Sequence, residues 1–226
     1  WNTVVDDIYI LHQRLKQRYP DVPLCIMGHS MGSFLTRTYL IRYPGTVKAA
    51  IIMGTGWQPQ AAITGGLALA NAIAAVSGEN ATSELVTELA FGSYNKLFAP
   101  NRTKVDWLSA DESNVDDYIA DPLCGADATV GLFRQMLHGI RFNQRQSHLR
   151  QMDREMPVLF VAGDKDPVGN CGKGVRQTYD AFRAAGMRDC TLKLYPGLRH
   201  EILNEKAYTA DITKNIEAWL LSRLEK

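Results

Sequence analysis

No C-x-x-C pair and no Cys/His cluster at zinc spacing occurs in this chain of 226 residues. Its 4 cysteines, Cys25, Cys124, Cys171 and Cys190, stand singly. That argues against a metal site and makes a reducing cytoplasm the expected compartment. An excess of either charge is lacking too, with 25 Lys+Arg against 24 Asp+Glu and no basic block. Neither a nucleic-acid surface nor an anionic membrane patch is therefore expected. No apolar run is long enough to span a bilayer comfortably. The nearest, Ala61 to Val76, is interrupted by Thr64, Gly65, Gly66 and Asn71 and reads as a helix of a soluble fold. The acidic group Asp111, Glu112, Asp116 and Asp117 lacks the spacing of a calcium loop and reads as a solvated face. Two N-x-T triplets, at Asn80 and Asn101, are taken as coincidence. No repeat or low-complexity stretch occurs. An initiator methionine is absent as well, since the chain opens with Trp1, so the lack of a leader peptide says little.

What is present is the composition of an ordinary globular protein, 46% hydrophobic and 22% charged, in a chain long enough to bury a substantial core. Helical spacing begins at once, with Val4, Ile8, Leu11 and Leu15 on one face. Pro23-Leu24-Cys25-Ile26-Met27 then forms a short uninterrupted apolar run, as expected of a parallel strand buried on both faces. Two further runs, Val47 to Gly54 and Pro157 to Gly163, are strand-like and end in glycine where a loop begins. Thr191 to Tyr195 alternates polar and apolar, as a half-exposed strand near a sheet edge would. Helical patterns fill the intervals, marked by Val175, Tyr179 and Phe182 and by Ile212, Ile216, Trp219 and Leu220. Strands alternating with helices predict an α/β fold with a mostly parallel sheet. The interval from Thr55 to Met152 breaks that rhythm. It shows helical patterns such as Leu132, Phe133, Met136, Leu137 and Ile140 but no convincing strand. The division expected is a core of residues 1–54 and 153–226 carrying a helical cap insertion of residues 55–152.

Between the first strand run and the next helix stands Gly28-His29-Ser30-Met31-Gly32. It fits the G-x-S-x-G pattern, in which a serine is raised on a tight strand-to-helix turn. Strand, turn and helix are the context that pattern requires, so Ser30 is the candidate nucleophile. Glycine is expected on both sides, because a Cβ there would strike the neighbouring strand or helix. A serine hydroxyl needs a histidine to take its proton and a carboxylate to orient that histidine. In folds with this elbow the chain order is serine, acid, histidine. His12 precedes Ser30, His29 is the variable position of the elbow, and His138 and His148 fall within the insertion. His200, on the loop after Pro196-Gly197, is the histidine left. For the acid, the loop after Gly163 offers Asp164 and Asp166; Asp164 reads as a turn cap, and Asp166 is the expected member. The backbone N–H of Met31, at the start of the elbow helix, is placed to donate to an oxyanion. The second donor belongs on a loop after an earlier strand, which the text does not contain.

With Gly163-Asp164-Lys165-Asp166-Pro167-Val168 and Arg199-His200-Glu201 following the elbow in order, the chain resembles the monoacylglycerol lipase-like lysophospholipases. These α/β-hydrolases are also called the serine aminopeptidase S33 type. The resemblance covers essentially the whole chain, and Tyr118 to Leu123 is similar to that family's cap region. It implies the α/β-hydrolase fold, Ser30 as nucleophile, Asp166 as acid, His200 as base and the Met31 amide in the oxyanion hole, with no cofactor and no metal. The departure is at the front, where the family has further strands and a His-Gly loop that supplies the other donor. The expectation is a fragment of a longer enzyme whose first strand here has a bare apolar edge. The implied activity is hydrolysis of carboxylic esters, such as a monoacylglycerol or lysophospholipid, through an acyl-enzyme. The implied partner is a small ester or lipid substrate, with transient contact at a membrane surface left open, as is the oligomeric state. Two alternatives stand beside it. An aminopeptidase or amidase of the same fold would need an acidic anchor, for which Glu112 and Asp121 are the candidates; a non-catalytic binding protein would need no activated serine at all.

Overall fold

The computed structural model describes residues 1–224. In chain order its elements are α1 (Asn2–Arg18), β1 (Cys25–His29), α2 (Met31–Arg42), β2 (Ala49–Met53), α3 (Gln60–Ser77), α4 (Glu84–Phe91), α5 (Glu112–Ala120), α6 (Val130–Asn143), α7 (Gln146–Leu149), β3 (Val158–Gly163), α8 (Lys173–Ala184), β4 (Cys190–Tyr195) and α9 (Thr209–Leu224). Single 3-10 turns at Asn95–Phe98 and Asp106–Leu108 lie between α4 and α5. Among the described residues the strands form one sheet in the order β1-β2-β3-β4, every pair parallel. Each crossover carries a helix, as parallel pairing requires. The registers Gly28 to Ile52, Met53 to Val161 and Gly163 to Tyr195 bring the carboxyl ends of the strands to one edge. Loops leaving that edge are where an open α/β sheet builds its site.

Side-chain alternation on the buried strands divides the core into two layers. Ala50, Ile52, Val158 and Phe160 face Val5 of α1, Tyr39 and Leu40 of α2, and Val175 and Phe182 of α8. Ile51, Met53, Leu159 and Val161 face Ile212, Ile216 and Trp219 of α9. Each fully buried side chain of this size contributes about 1.5–3 kcal/mol relative to exposure. Strands β2 and β3 are buried along their whole length, which explains their unbroken apolar runs. Strand β4, at the sheet edge, is half-buried from Cys190 to Leu194 and alternates in residue type.

Strand β1 departs from expectation. It spans Cys25–His29 rather than Pro23 to Met27, and it is not buried on both faces, since Cys25 is exposed and Met27 is 53% exposed. The reason is topological: among the described residues β1 pairs only with β2 and forms the other edge of the sheet. The predicted stripe on α1 is displaced too. Val4, Leu11 and Leu15 are exposed, and the packed face runs through Trp1, Val5, Ile8 and Tyr9. Stacking of Tyr9 on Tyr43 at 4.0 Å and the Trp1 indole N–H on Thr38 Oγ1 at 2.9 Å set that rotation.

The interval between β2 and β3 holds α3 to α7 and the 3-10 turns; among the described residues its only β pairing is the isolated bridge between Thr82 and Thr129. Ile63 and Leu67 of α3 pack with Leu137 and Ile140 of α6 over Phe34 of α2, so this layer sits against the elbow helix. Its last part merges with the core, where Leu149 and Met152 join the α1, α2 and α8 side. Helix α3 is by length and composition alone apolar enough to cross a membrane. Here it packs on α6.

Candidate active site

The chain turns sharply at the end of β1. Ser30 has φ 54° and ψ −121°, a conformation costing a non-glycine residue about 1–3 kcal/mol unless its surroundings enforce it. They do: Ser30 N–H donates to Met53 O at 3.1 Å, while Ser30 O accepts from Ser33 N–H at 2.9 Å and Ser33 Oγ at 2.6 Å. A Cβ at Gly28 would lie 2.2 Å from Gly32 O and 2.4 Å from Thr36 Oγ1, so glycine there lets α2 settle on β1. Gly32 differs from expectation, because a Cβ there would meet nothing within 4 Å. The N–H of Met31, the first residue of α2, has no carbonyl partner within the helix and points out of its N-terminus.

The next loops are pressed together. A Cβ at Gly163 would come within 2.0 Å of Leu198 O and 2.3 Å of Arg199 O, so the loop after β3 lies directly on the loop after β4. The two aspartates diverge from there. Asp164 Oδ1 accepts from Gly197 N–H at 2.8 Å, which stitches the loops. Asp166 is wholly buried; its Oδ1 accepts from Val168 N–H at 2.9 Å and its Oδ2 lies 3.0 Å from His200 Nδ1. A carboxylate only accepts, so Nδ1 of His200 carries a proton, and in the neutral ring this tautomer leaves the lone pair on Nε2. His200 is 3% exposed. The structure thus brings Asp166 to His200 and leaves Asp164 on the turn. Among the described residues no hydrogen bond joins Ser30 Oγ to His200, as is common before substrate tightens such a site.

Two neighbours of His200 escaped sequence reasoning. His29, taken as the variable elbow position, places Nε2 3.0 Å from His200 O, with the ring centroids 4.5 Å apart. A carbonyl only accepts, so His29 Nε2 is the donor. Burial pushes the His29 ring below the ordinary histidine value, and the neighbouring His200 ring adds to that; the His200 carbonyl and the charges of Asp166 and Glu201 pull the other way. Gly54, at φ +58°, keeps this contact open, since a Cβ there would lie 3.1 Å from atoms of both rings. From the insertion, Trp107 stands 5.2 Å from the His200 ring and packs on Phe91 and Tyr94. The Tyr94 hydroxyl is pushed up to about 12 by burial first and then by the charge of Asp166, and stays neutral.

Ser30 and Met31 open into a cavity of about 450 Å³ roofed by α3, α4 and α6. Among the described residues no Asp, Glu, Lys or Arg lines it. The expected anchors of a substrate ammonium lie elsewhere: Glu112 sits 3.8 Å from Arg102 with its side chain mostly exposed, and Asp121 Oδ1 accepts from Leu123 N–H at 2.8 Å. The second oxyanion donor was expected on a loop after a strand preceding β1, and among the described residues no strand precedes β1.

Residues 1–207 match the family described as serine aminopeptidase, S33. The chain belongs to that family. It is 30% identical over 225 residues to a monoacylglycerol lipase of Mycolicibacterium smegmatis, covering 97% of this chain and 70% of that protein. It is 26% identical over 217 residues to the monoglyceride lipase of Mus musculus, covering 93% of this chain and 62% of the mouse protein. The fold is that of a thermostable carboxyl esterase from Bacillus coagulans, with a TM-score of 0.89 at 24% identity over 96% of this chain and 70% of that one. It is also that of the Paleococcus ferrophilus monoacylglycerol lipase, with a TM-score of 0.72 at 18% identity over 98% and 75%. This S33 chain therefore has the α/β-hydrolase fold.

Proposed function

We propose that this chain is a serine hydrolase that cleaves carboxylic esters of lipid type through an acyl-enzyme. The observation that carries the reading is the buried Asp166–His200 pair beside a strained Ser30 that faces an uncharged cavity. The lipases among its relatives support the same chemistry. In this mechanism His200 Nε2 takes the Ser30 proton as Oγ attacks the ester carbonyl, and Asp166 holds the ring in the required tautomer and stabilises it once charged. The Met31 N–H donates to the developing oxyanion. His200 then protonates the leaving alcohol, and a water activated by the same nitrogen releases the acid. The acyl chain occupies the cavity under α3 and α6, where each buried methylene contributes about 0.8 kcal/mol.

An aminopeptidase has to hold an ammonium, and the uncharged wall favours an ester over an aminoacyl amide. A fluorophosphonate should modify Ser30, with Ser30→Ala as control, and a panel of acyl esters and aminoacyl amides should show turnover of esters. An unmodified Ser30 would leave a binding protein as the better reading, and faster cleavage of aminoacyl amides would favour the peptidase.

A further inference from the structure

The loop carrying His200 is fastened to one short stretch of the helical insertion from both sides of the histidine. Arg199, immediately before it, donates from Nη1 to the carbonyl oxygens of Asp106 and Ser109, the latter at 2.9 Å. The Arg199 guanidinium also lies over the Phe98 ring, 4.1 Å from its centroid. Glu201, immediately after, donates its backbone N–H to Leu108 O at 2.8 Å. Glu205, 3% exposed, accepts from Ala110 N–H on one carboxylate oxygen at 2.7 Å and from Asp111 N–H on the other at 3.1 Å. A guanidinium and a buried carboxylate thus direct their hydrogen bonds to backbone groups 90 to 95 residues away. Charge-assisted bonds of this kind are strong and directional. From 106 to 111 only Trp107 has no backbone bond to this loop. Its N–H goes to Asn95 Oδ1 at 3.0 Å, while its ring lines the cavity and faces His200.

We propose that Arg199 and Glu205 are positioning residues that fasten segment 106–111, and with it the Trp107 ring, to the His200 loop, so that the cavity wall and the base move as one unit. The catalytic consequence rests on the ester-hydrolase reading; the mechanical coupling stands apart from it. An acyl chain that presses on Trp107 thereby orders His200 as well, and the base is held in place best when the cavity is filled.

Hydrogen exchange read by mass spectrometry on the whole chain tests the coupling without substrate. Glu205→Gln should speed exchange across 106–111 and at the Glu201 amide together, by about tenfold or more, while β2 and β3 are unaffected. Faster exchange in 106–111 alone would overturn the proposal. With esters of one alcohol carrying an acetyl or a dodecanoyl group, Glu205→Gln and Arg199→Met should lower kcat per folded molecule by about tenfold. KM for the acetyl ester should hardly change, and Arg199→Lys should recover part of the loss. A fastening that is only structural would lower the melting temperature and leave kcat of the folded molecules intact, which also overturns the proposal. Should the variants not fold, the wild-type chain still decides. Binding of a long-chain fluorophosphonate to Ser30 should protect 106–111 and 199–205 together, and protection of one segment alone refutes the coupling. A chain that shows the coupled exchange yet neither reacts with the probe nor cleaves an ester would remove the hydrolase reading and leave the coupling in place.

Discussion

His29 Nε2 lies 3.0 Å from the carbonyl oxygen of His200, so the residue just before the candidate nucleophile holds the backbone of the candidate base. The bond spans 171 residues of sequence and closes the gap between the ends of β1 and β4. Replacing His29 with Phe keeps a ring against His200 and removes the donor. Esterase kcat should fall by about 10- to 100-fold, the cost of misplacing a reacting group by a fraction of an ångström to an ångström. His29→Gln, which retains an N–H, should fall less. Steady-state kinetics of the two variants give the comparison, and equal rates in all three proteins would show that the contact is only packing.

The two aspartates after β3 separate by role. Asp166→Asn should lower kcat by about 10⁴, because His200 loses the acceptor that sets its tautomer. Asp164→Asn weakens only the stitch to Gly197 and should cost about 0.5–1.5 kcal/mol of stability with little loss of rate. Ester turnover and thermal melts of both variants check the ranking; the reverse order would identify Asp164 as the acid.

His29 also makes stability depend on pH. Its folded-state value lies below the ordinary 6.5, chiefly because the ring is buried. The unfolded state therefore binds the proton more tightly than the folded one. Its contribution is fully present above about 6.5 and is lost as pH falls from there through the lowered folded value. Urea melts across that acid range should show a steeper fall for wild type than for His29→Gln. Taking the difference removes the parallel effect of His12 and His138, which burial lowers in the same sense. Superimposable pH curves would mean that His29 binds its proton equally well in the folded and unfolded states, which overturns the assignment.

The glycines flanking the elbow are not equivalent. Gly28→Ala drives a Cβ into Gly32 O and Thr36 Oγ1, and overpacking against backbone typically costs about 1–3 kcal/mol. Gly32→Ala meets open space and sits in a helix, where alanine is better than glycine by about 0.5–1 kcal/mol. Denaturant midpoints should move in opposite directions. Destabilisation at position 32 as large as at 28 would refute the assignment.

Cavity volume should control chain length. A Cβ at Gly66 would lie 2.9 Å from Leu137 Cδ1 on the facing helix, and both residues line the cavity. Gly66→Val should lower kcat/KM for dodecanoyl esters by about tenfold or more while acetyl esters lose little, since the change removes room for the far end of the chain. A uniform loss across chain lengths would place the acyl group elsewhere.

Local order was written in the chain. Ala49 to Met53 and Val158 to Gly163 are apolar throughout because β2 and β3 have neighbours on both sides and helices on both faces, and Thr191 to Tyr195 alternates in residue type because β4, among the described residues, has a neighbouring strand on one side. The elbow is legible for a similar reason: a strand, a glycine where a helix must approach, a serine and a helix are consecutive, although the conformation at Ser30 is also held from the next strand through its N–H bond to Met53 O. Short range fails for β1. Its apolar text is that of a central strand, yet exposure depends on which strands lie beside it, and no periodicity within five residues carries that information.

The sequence by itself determined the alternation of strands and helices, the place of the elbow and the chain order of Ser30, Asp166 and His200, because these depend on spacing and on residue type. The sequence already favoured Asp166 over Asp164, and the structure brings Asp166 to His200; only the tertiary structure decided that His29 braces His200 and that Arg199 and Glu205 grip segment 106–111. Each of these contacts joins the His200 loop to a strand end or to the insertion, which the register of a parallel sheet brings to one edge. The partner of a loop side chain is set by where the sheet delivers the other loop, and neighbours along the chain do not encode it.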